Sequence, residues 1–200
     1  MGGRIYIFSG PSGAGKSTLT RKLRERVKNV GYSVSHTSRP PRRDEVDGVD
    51  YYFIDRDTFN SMIKDHAFAE WATVYTHLYG TSLSSLQIQL EKGLDVILDI
   101  DSQGAGNIKK HFKECILIYI FPPNLQVLET RLRERATDDE RTIEKRFRKA
   151  VAEMRECEWY DYLIVNDDMD DAYRKAESII ISERCKKQRV LPGIRGIFGI

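Results

Sequence analysis

One short segment near the N-terminus limits the folds open to this chain more than any other. Residues 10–17 read GPSGAGKS, which matches the pattern GxxxxGK[ST]. A strand-like apolar run, Ile5–Ser9, precedes them, and Leu19, Leu23 and Val27 follow at helical spacing. Glycines allow a backbone to turn its N–H groups inward around a phosphate, and a helix that follows adds the positive end of its dipole. The pattern therefore predicts a strand, a phosphate-binding loop and a helix in succession.

The same loop carries side chains suited to a nucleoside triphosphate. Lys16 is placed to reach the β- and γ-phosphates, and the Ser17 hydroxyl is placed to ligate Mg²⁺. We expect the nucleotide to contact Gly10, Ser12, Gly13, Ala14, Gly15, Lys16, Ser17 and Thr18. The motif alone defines a superfamily of nucleotide-binding proteins with many functions.

Strands and helices alternate along most of the sequence, which predicts the α/β class: a three-layer core with a parallel sheet between helices. Predicted strands cover residues 5–9, 32–35, 51–53, 67–74, 94–100, 115–121 and 162–165. Predicted helices begin near residue 16, after a cap at 55 or 57, after a cap at 81 or 82, and at 102, 125, 143 and 172.

The expected domain organisation is a single domain over residues 1–184, with its core in 1–35 and 93–184. The alternation breaks at about 36–88, which we interpret as a small inserted lobe of mixed α/β structure. Residues 185–200 form a basic C-terminal tail, for which we expect a frayed terminus, with a weak interaction segment as the alternative.

Composition excludes several classes of protein. The 200 residues include 32 basic and 30 acidic side chains, so the net charge of +2 argues against general nucleic-acid or membrane binding. The three cysteines lie far apart and the four histidines lack metal-ligand spacing, which favours a reducing compartment and no zinc site. With no signal peptide and no apolar run long enough to span a membrane, the expected location is the cytoplasm.

A second cluster of charge follows the first predicted helix. The segment SVSHTSRPPR ends with two arginines three residues apart, Arg39 and Arg42. Guanidinium groups pair with phosphate in bidentate fashion, so the two side chains are suited to grip one phosphate, with hydroxyl donors from Ser35, Tyr51 and Tyr79. The alternative is an ordinary solvated, charged loop, which these residues alone favour.

Six segments, taken in order, resolve this ambiguity by resemblance: SGPSGAGKST, SVSHTSRPPR, EVDGVDYYF, EWATVYTHLYGTS, VILDIDSQG and IVNDD. Together they resemble guanylate kinases over residues 4 to about 184. The resemblance implies transfer of the γ-phosphoryl of ATP to GMP, giving ADP and GDP, in purine nucleotide metabolism and GMP recycling. It also implies Mg²⁺ bound with ATP.

The resemblance assigns the second cluster to the acceptor nucleotide. The implied GMP-binding residues are Ser35, Arg39, Arg42, Tyr51, Glu70, Tyr79, Gly80, Thr81 and Asp99, and Asp101 is implied at the metal or a nearby water. Glu70 is implied to read guanine. An ionised carboxylate accepts from both the N1–H and the 2-amino group of guanine, whereas adenine presents an acceptor at N1.

Arginines crowd into residues 131–148. The resemblance implies a mobile helical lid over ATP at about 133–146. The implied catalytic residues are Lys16, Arg42, Arg135 and Arg146, with Arg131 a weaker candidate. Arg135 is also implied to bind ATP, and Asn166 and Asp167 are implied on its adenine side. Solvent-exposed i,i+4 ion pairs are the alternative explanation, which suits Arg133, Arg141 and Lys149.

The main rival function is a catalytically inactive guanylate-kinase-like module that binds other proteins. A kinase for another nucleoside monophosphate and a nucleic-acid-binding protein are further alternatives. ATP and GMP are the expected partners, with dGMP as a further acceptor, no nucleic acid, no membrane, and a monomer or weak homodimer as the oligomeric state. The chain departs from many family members at Arg43 and Asp44, where relatives often carry a glycine, and in the lid sequence ATDDERT.

Overall fold

The computed structural model describes residues 2–74, 76–134 and 140–199. The chain divides into two compact units. We call residues 2–9 and 29–117 the arginine-loop unit, and residues 10–28 and 118–199 the phosphate-loop unit. The predicted division into core, inserted lobe and lid stays a prediction.

The described residues form nine strands and eight α-helices. The strands are β1 Ile5–Ser9, β2 Val30–Tyr32, β3 His36–Thr37, β4 Tyr52–Phe53, β5 Phe68–Val74, β6 His77–Ser82, β7 Asp95–Asp99, β8 Ile116–Phe121 and β9 Tyr162–Val165. The helices are α1 Lys16–Arg26, α2 Arg56–Lys64, α3 Leu83–Glu91, α4 Ser102–His111, α5 Leu125–Glu134, α6 Glu140–Glu153, α7 Met169–Arg184 and α8 Lys187–Phe198, with a 3₁₀ helix at Met154–Trp159.

Three parallel strands form the centre of the arginine-loop unit in the order β2-β7-β1. Their apolar residues follow one another without alternation, and every residue of β1 is buried. Such continuous burial is typical of parallel strands that are covered on both faces. The register pairs Phe8 with Asp99, so a polar residue ends β7 where the buried run stops.

The same unit contains a mixed sheet in the order β4-β3-β6-β5. Strands β5 and β6 form an antiparallel hairpin, with Val74 opposite His77. The register shifts between Phe68 and Glu70, and the neighbouring residues Ala69 and Glu70 are both buried. A regular strand would turn one of these two side chains outward, so the irregularity is what directs Glu70 into the protein.

The phosphate-loop unit contains the parallel pair β8 and β9, with Ile118 opposite Tyr162. Helix α1 packs against α7, and helices α5 and α6 pack against each other. The contact between α5 and α6 is an apolar cluster made of Leu128, Leu132, Ile143, Phe147 and Ala150, which Met154 joins from the start of the 3₁₀ helix. Helical spacing predicts an apolar stripe of Ile143, Phe147, Val151 and Met154, and this cluster contains Ile143, Phe147 and Met154.

The predicted α/β class, with parallel strands and a second mixed sheet, is confirmed. Several elements differ from prediction. Strand β2 lies at Val30–Tyr32 instead of 32–35, strands β3 and β6 were not predicted, and the tail expected to be frayed forms helix α8. None of the helices in the described ranges is both long and apolar enough to cross a membrane.

Candidate nucleotide-binding sites

The phosphate-binding loop connects β1 to α1 in a backbone conformation that requires glycine. Gly10, Gly13 and Gly15 have φ angles of 142°, 91° and 87°, which side chains other than glycine rarely adopt. A Cβ at position 10 would also collide with the carbonyl oxygen of Ile120. Gly15 is the N-cap of α1, and no side chain of the described residues caps that helix. The first amides of α1 therefore point at the loop and are suited to an anion.

Lys16 folds back over this loop. Its Nζ donates to the carbonyl oxygens of Gly10 at 2.6 Å and Pro11 at 3.3 Å. Ser17 and Thr18 are exposed on the first turn of α1. Lys16 is thus partly buried against the loop, while the two residues that follow it are exposed.

Two residues outside the motif donate side-chain hydrogen bonds to carbonyl groups of the loop. The Asn166 side-chain amide donates to the carbonyl oxygen of Ala14 at 2.8 Å, and Asn166 is 1% exposed. Nη1 of Arg131 lies 3.4 Å from the carbonyl oxygen of Gly13. The Asn166 amide is thus committed to the loop, while its neighbour Asp167 is exposed.

The arginines of the predicted lid differ in their surroundings. Arg133 is exposed and pairs with Glu129 and Glu140, with nitrogen–oxygen distances of 2.8 and 2.6 Å, which confirms the ion-pair interpretation for this residue. Arg146 is half-buried on α6. Arg135 lies outside the described residues, so its predicted role stays a prediction.

In the arginine-loop unit, all three guanidinium nitrogens of Arg39 donate hydrogen bonds. Its Nε donates to the Tyr79 hydroxyl at 3.2 Å, and its Nη1 donates to the Pro40 carbonyl at 2.8 Å. Its Nη2 donates to both carboxylate oxygens of Glu45, at 2.7 and 2.8 Å. The guanidinium carbon lies 5.5 Å from the centre of the Tyr51 ring. The arginine and the two tyrosines predicted to bind one phosphate therefore lie together.

Arg42 lies on the same loop but faces outward. Its side chain is 53% exposed, and its Nη1 is 3.9 Å from Oε1 of Glu45. Ser35 is buried beside this region, at the residue before β3. Burial and the negative charge of Asp99 raise the pKa of the Tyr51 hydroxyl, which keeps it protonated as a hydrogen-bond donor.

Glu70 is a buried carboxylate that accepts a hydrogen bond from a neutral side chain, that of Thr81. It is 5% exposed, and its Oε1 accepts a 2.7 Å hydrogen bond from the Thr81 hydroxyl directly across the hairpin. Burial raises its pKa to about 7, and the charge of Asp101 adds to the rise, while the Thr81 hydrogen bond opposes it. A Cβ on Gly104 would lie 2.7 Å from its Oε2, so the glycine makes room for the carboxylate.

Asp99 and Asp101 end β7 and begin α4. The Asp101 carboxylate caps α4 by accepting from the Gly104 backbone amide at 2.8 Å. Within the described residues, no cluster of three or more histidine, cysteine, aspartate or glutamate side chains could hold a metal ion.

Comparisons with known proteins address the family of this chain. A sequence model described as guanylate kinase matches residues 2–183. The guanylate kinase of Carboxydothermus hydrogenoformans is 46% identical over 188 residues, 94% of this chain and 92% of that protein. The guanylate kinase of Geobacter sulfurreducens is 43% identical over 198 residues, 99% and 98% of the two chains.

A solved structure gives the same result for the fold. The crystal structure of guanylate kinase from Anaplasma phagocytophilum has a TM-score of 0.81 and 32% sequence identity, covering 100% of this chain and 97% of that one. The resemblance predicted from six sequence segments is confirmed by sequence matches over nearly the full length. This chain belongs to the guanylate kinase family.

Proposed function

We propose that this chain transfers the γ-phosphoryl group of ATP to GMP, giving ADP and GDP. The observation that carries the proposal is Glu70, a buried carboxylate in the same unit as the two arginines proposed to bind the acceptor phosphate. Thr81 donates to one of its oxygens, and a carboxylate has acceptor capacity for further donors. Guanine supplies two adjacent donors, so GMP would satisfy this buried group, whereas AMP would oppose an acceptor to it.

The donor nucleotide would bind at the phosphate-binding loop. Lys16 would exchange its two carbonyl partners for the β- and γ-phosphate oxygens, and the amides at the start of α1 would receive the anion. Asp167 is exposed where the adenine side is proposed, while Asn166 would act through the loop it supports. Arg135 and Arg146 are proposed to stabilise charge on the transferring group.

Catalysis would depend on position and charge. A phosphate oxygen of GMP attacks the γ-phosphorus, the bond to the β–γ bridging oxygen breaks, and ADP leaves with that electron pair. Both substrates are anions, so Lys16, Arg42, Arg135 and Arg146 would offset their repulsion. Direct transfer requires no phosphorylated residue on the chain.

We propose Mg²⁺ as the divalent ion that accompanies ATP. The exposed Ser17 hydroxyl would hold it together with phosphate oxygens and water, which suits the oxygen ligands and octahedral geometry that Mg²⁺ prefers. Bound there, the ion would neutralise charge on the β- and γ-phosphates. Asp101 would orient the ion or a nearby water.

The remaining proposals concern the setting of the reaction. We propose dGMP as a further acceptor, a monomer or weak homodimer as the working form, and the cytoplasm as the location. The oligomeric state can be measured by analytical ultracentrifugation, and the use of dGMP by adding it as a fifth acceptor to the ADP-release assay.

An ADP-release assay with four acceptors tests the proposed function. ATP and Mg²⁺ are supplied with GMP, AMP, UMP or dTMP, and Lys16→Ala serves as the control. We expect rapid ADP release with GMP alone and its loss in the variant. Folded protein that binds GMP but turns over none of the acceptors would overturn the proposal in favour of an inactive binding module.

A further inference from the structure

A third charged side chain, Glu45, lies between the two arginines proposed to bind the acceptor phosphate. Both of its carboxylate oxygens accept from Nη2 of Arg39, at 2.7 and 2.8 Å. Its Oε2 also accepts from the backbone amide of Arg42 at 2.8 Å. One carboxylate is thus tied to the side chain of the first arginine and to the backbone of the second.

These contacts fix the arginine loop, residues 38–46, from within. The Glu45 backbone amide donates to the Arg42 carbonyl at 3.2 Å, so a turn is closed by both side chain and backbone. On the other side, Tyr79 and Pro40 hold the remaining guanidinium nitrogens of Arg39. Because this loop lies outside regular helix or strand, its conformation depends on such contacts.

The Arg39–Glu45 pair differs from an ordinary surface ion pair. The side chains are only 10% and 18% exposed, and Arg39 also contacts the faces of Tyr51 and Phe53. Burial alone would raise the pKa of Glu45, but the hydrogen bonds from Arg39 and the Arg42 amide outweigh it and lower that pKa. Glu45 therefore stays ionised at neutral pH, and its charge is shielded from salt.

We propose that Glu45 is a positioning residue for the acceptor phosphate: it sets the plane of the Arg39 guanidinium and the backbone of Arg42, so that Arg42 projects toward GMP from a fixed loop. The inference rests on the proposed function, since it assigns this loop to the phosphate of GMP. It adds a negative residue to a site that must bind an anion.

The opposite role is that Glu45 competes with the phosphate for Arg39. Its bonds to the Arg42 amide and its place in the turn favour positioning, because a phosphate that displaced Glu45 would also release the turn. The two roles predict changes of opposite sign in GMP affinity, so they can be distinguished by experiment.

The test compares Glu45→Gln and Glu45→Asp with Asp44→Asn, which removes one charge from the exposed neighbouring position. Calorimetry measures GMP binding, and steady-state kinetics with ATP and Mg²⁺ measures turnover. For Glu45→Gln we expect GMP affinity to fall about tenfold or more, from the loss of charge-assisted hydrogen bonds, with KM for ATP and the melting temperature little changed. Glu45→Asp should fall in between, and Asp44→Asn should match the wild type.

A double variant shows whether Glu45 acts through Arg39. Arg39→Lys keeps the charge but loses the bidentate geometry, so adding Glu45→Gln to it should cost less GMP affinity than adding it to the wild type. Unchanged or tighter GMP binding by Glu45→Gln would overturn the proposal. Direct binding keeps this result separate from a failure of turnover, which would concern the proposed function instead.

Discussion

Two glutamates in the arginine-loop unit show how surroundings set the chemistry of one side chain. Glu70 is buried with Thr81 as its hydrogen-bond donor, and its pKa rises to about 7. Glu45 is less buried and meets a guanidinium and a backbone amide, and its pKa falls. Near neutral pH the first therefore changes charge easily, while the second remains ionised.

The raised pKa of Glu70 predicts a pH dependence that is confined to the acceptor. Guanine needs the ionised carboxylate, so kcat/KM for GMP should rise with pH through about 7 and then level off, while KM for ATP stays flat. Glu70→Gln should lose both GMP affinity and this slope. A wild-type profile for GMP that is flat between pH 6 and 8 would contradict the assignment.

The same shift has a consequence for the free energy of unfolding. The folded pKa of Glu70 lies above the reference value of 4.5, so the folded state holds its proton more tightly. The contribution of Glu70 to stability is therefore greatest below pH 4.5 and is lost as pH rises to about 7. Denaturant unfolding should show Glu70→Gln gaining stability relative to the wild type as pH rises through that range.

Asn166 is expected to affect the loop through a buried hydrogen bond. Asn166→Ala leaves the carbonyl of Ala14 without its donor, which should cost about 1–3 kcal/mol of stability and raise KM for ATP. Thermal melts and ATP kinetics measure the two effects. The exposed neighbour supplies the control, because Asp167→Ala should change KM for ATP with little effect on the melting temperature. A lower melting temperature for Asp167→Ala but not for Asn166→Ala would contradict the supporting role of Asn166.

At the scale of elements, the sequence predicts the strands and helices whose apolar residues are the ones buried in the structure. Strand β1 and helix α1 appear where the pattern places them, since buried side chains and the glycine loop specify both. Strand β6 escapes prediction because it contains Gly80, and glycine is uncommon in strands. Glycine is needed there because a Cβ would lie 2.8 Å from the Phe68 ring. The sequence pattern around Gly80 does not reveal this close packing against the neighbouring strand.

The C-terminal helix escapes prediction for a different reason. Helix α8 contains Pro192 together with Gly193 and Gly196, all poor helix formers, and local propensity therefore favours irregular structure. The roles of Asn166 and Glu45 are hidden in the same way. Neither residue belongs to the loop motif, and only the folded chain brings Asn166 to Ala14 and both Glu45 oxygens to Arg39.

The phosphate-binding loop allows a prediction about backbone conformation. Gly10→Ala places a side chain at a φ of 142° and against the Ile120 carbonyl, which should cost about 1–3 kcal/mol or more and abolish ATP binding. Gly106→Ala is the matched control, because its Cβ meets nothing within 4 Å in the middle of α4. That variant should gain about 0.5–1 kcal/mol in urea unfolding. Equal stability of Gly10→Ala and Gly106→Ala would contradict the requirement for glycine at position 10.

At the scale of the whole molecule, a net charge of only +2 accompanies proposed sites for two phosphate-bearing substrates. Positive charge is therefore local: Lys16 lies at one loop and the pair of arginines at the other. This division predicts that each nucleotide stabilises the protein separately. A ligand at 100 times its Kd adds about 2.7 kcal/mol, which raises the melting temperature by roughly 5–10 °C for a chain of this size.

The substitutions should separate the two effects on melting. Glu70→Gln should abolish the shift produced by GMP and keep the shift produced by ATP and Mg²⁺, whereas Lys16→Ala should do the reverse. Differential scanning calorimetry measures both. If one variant lost both shifts while remaining folded, the two sites would not be independent.

The most direct test of the central claim follows the phosphoryl group itself. Excess enzyme is mixed with ATP labelled at the γ-phosphate, Mg²⁺ and GMP, and the products are separated after a single turnover. Direct transfer predicts that the label appears in the β-phosphate of GDP as fast as ADP forms, with none on the protein. Label released as inorganic phosphate, or retained on the chain, would contradict direct transfer from ATP to GMP.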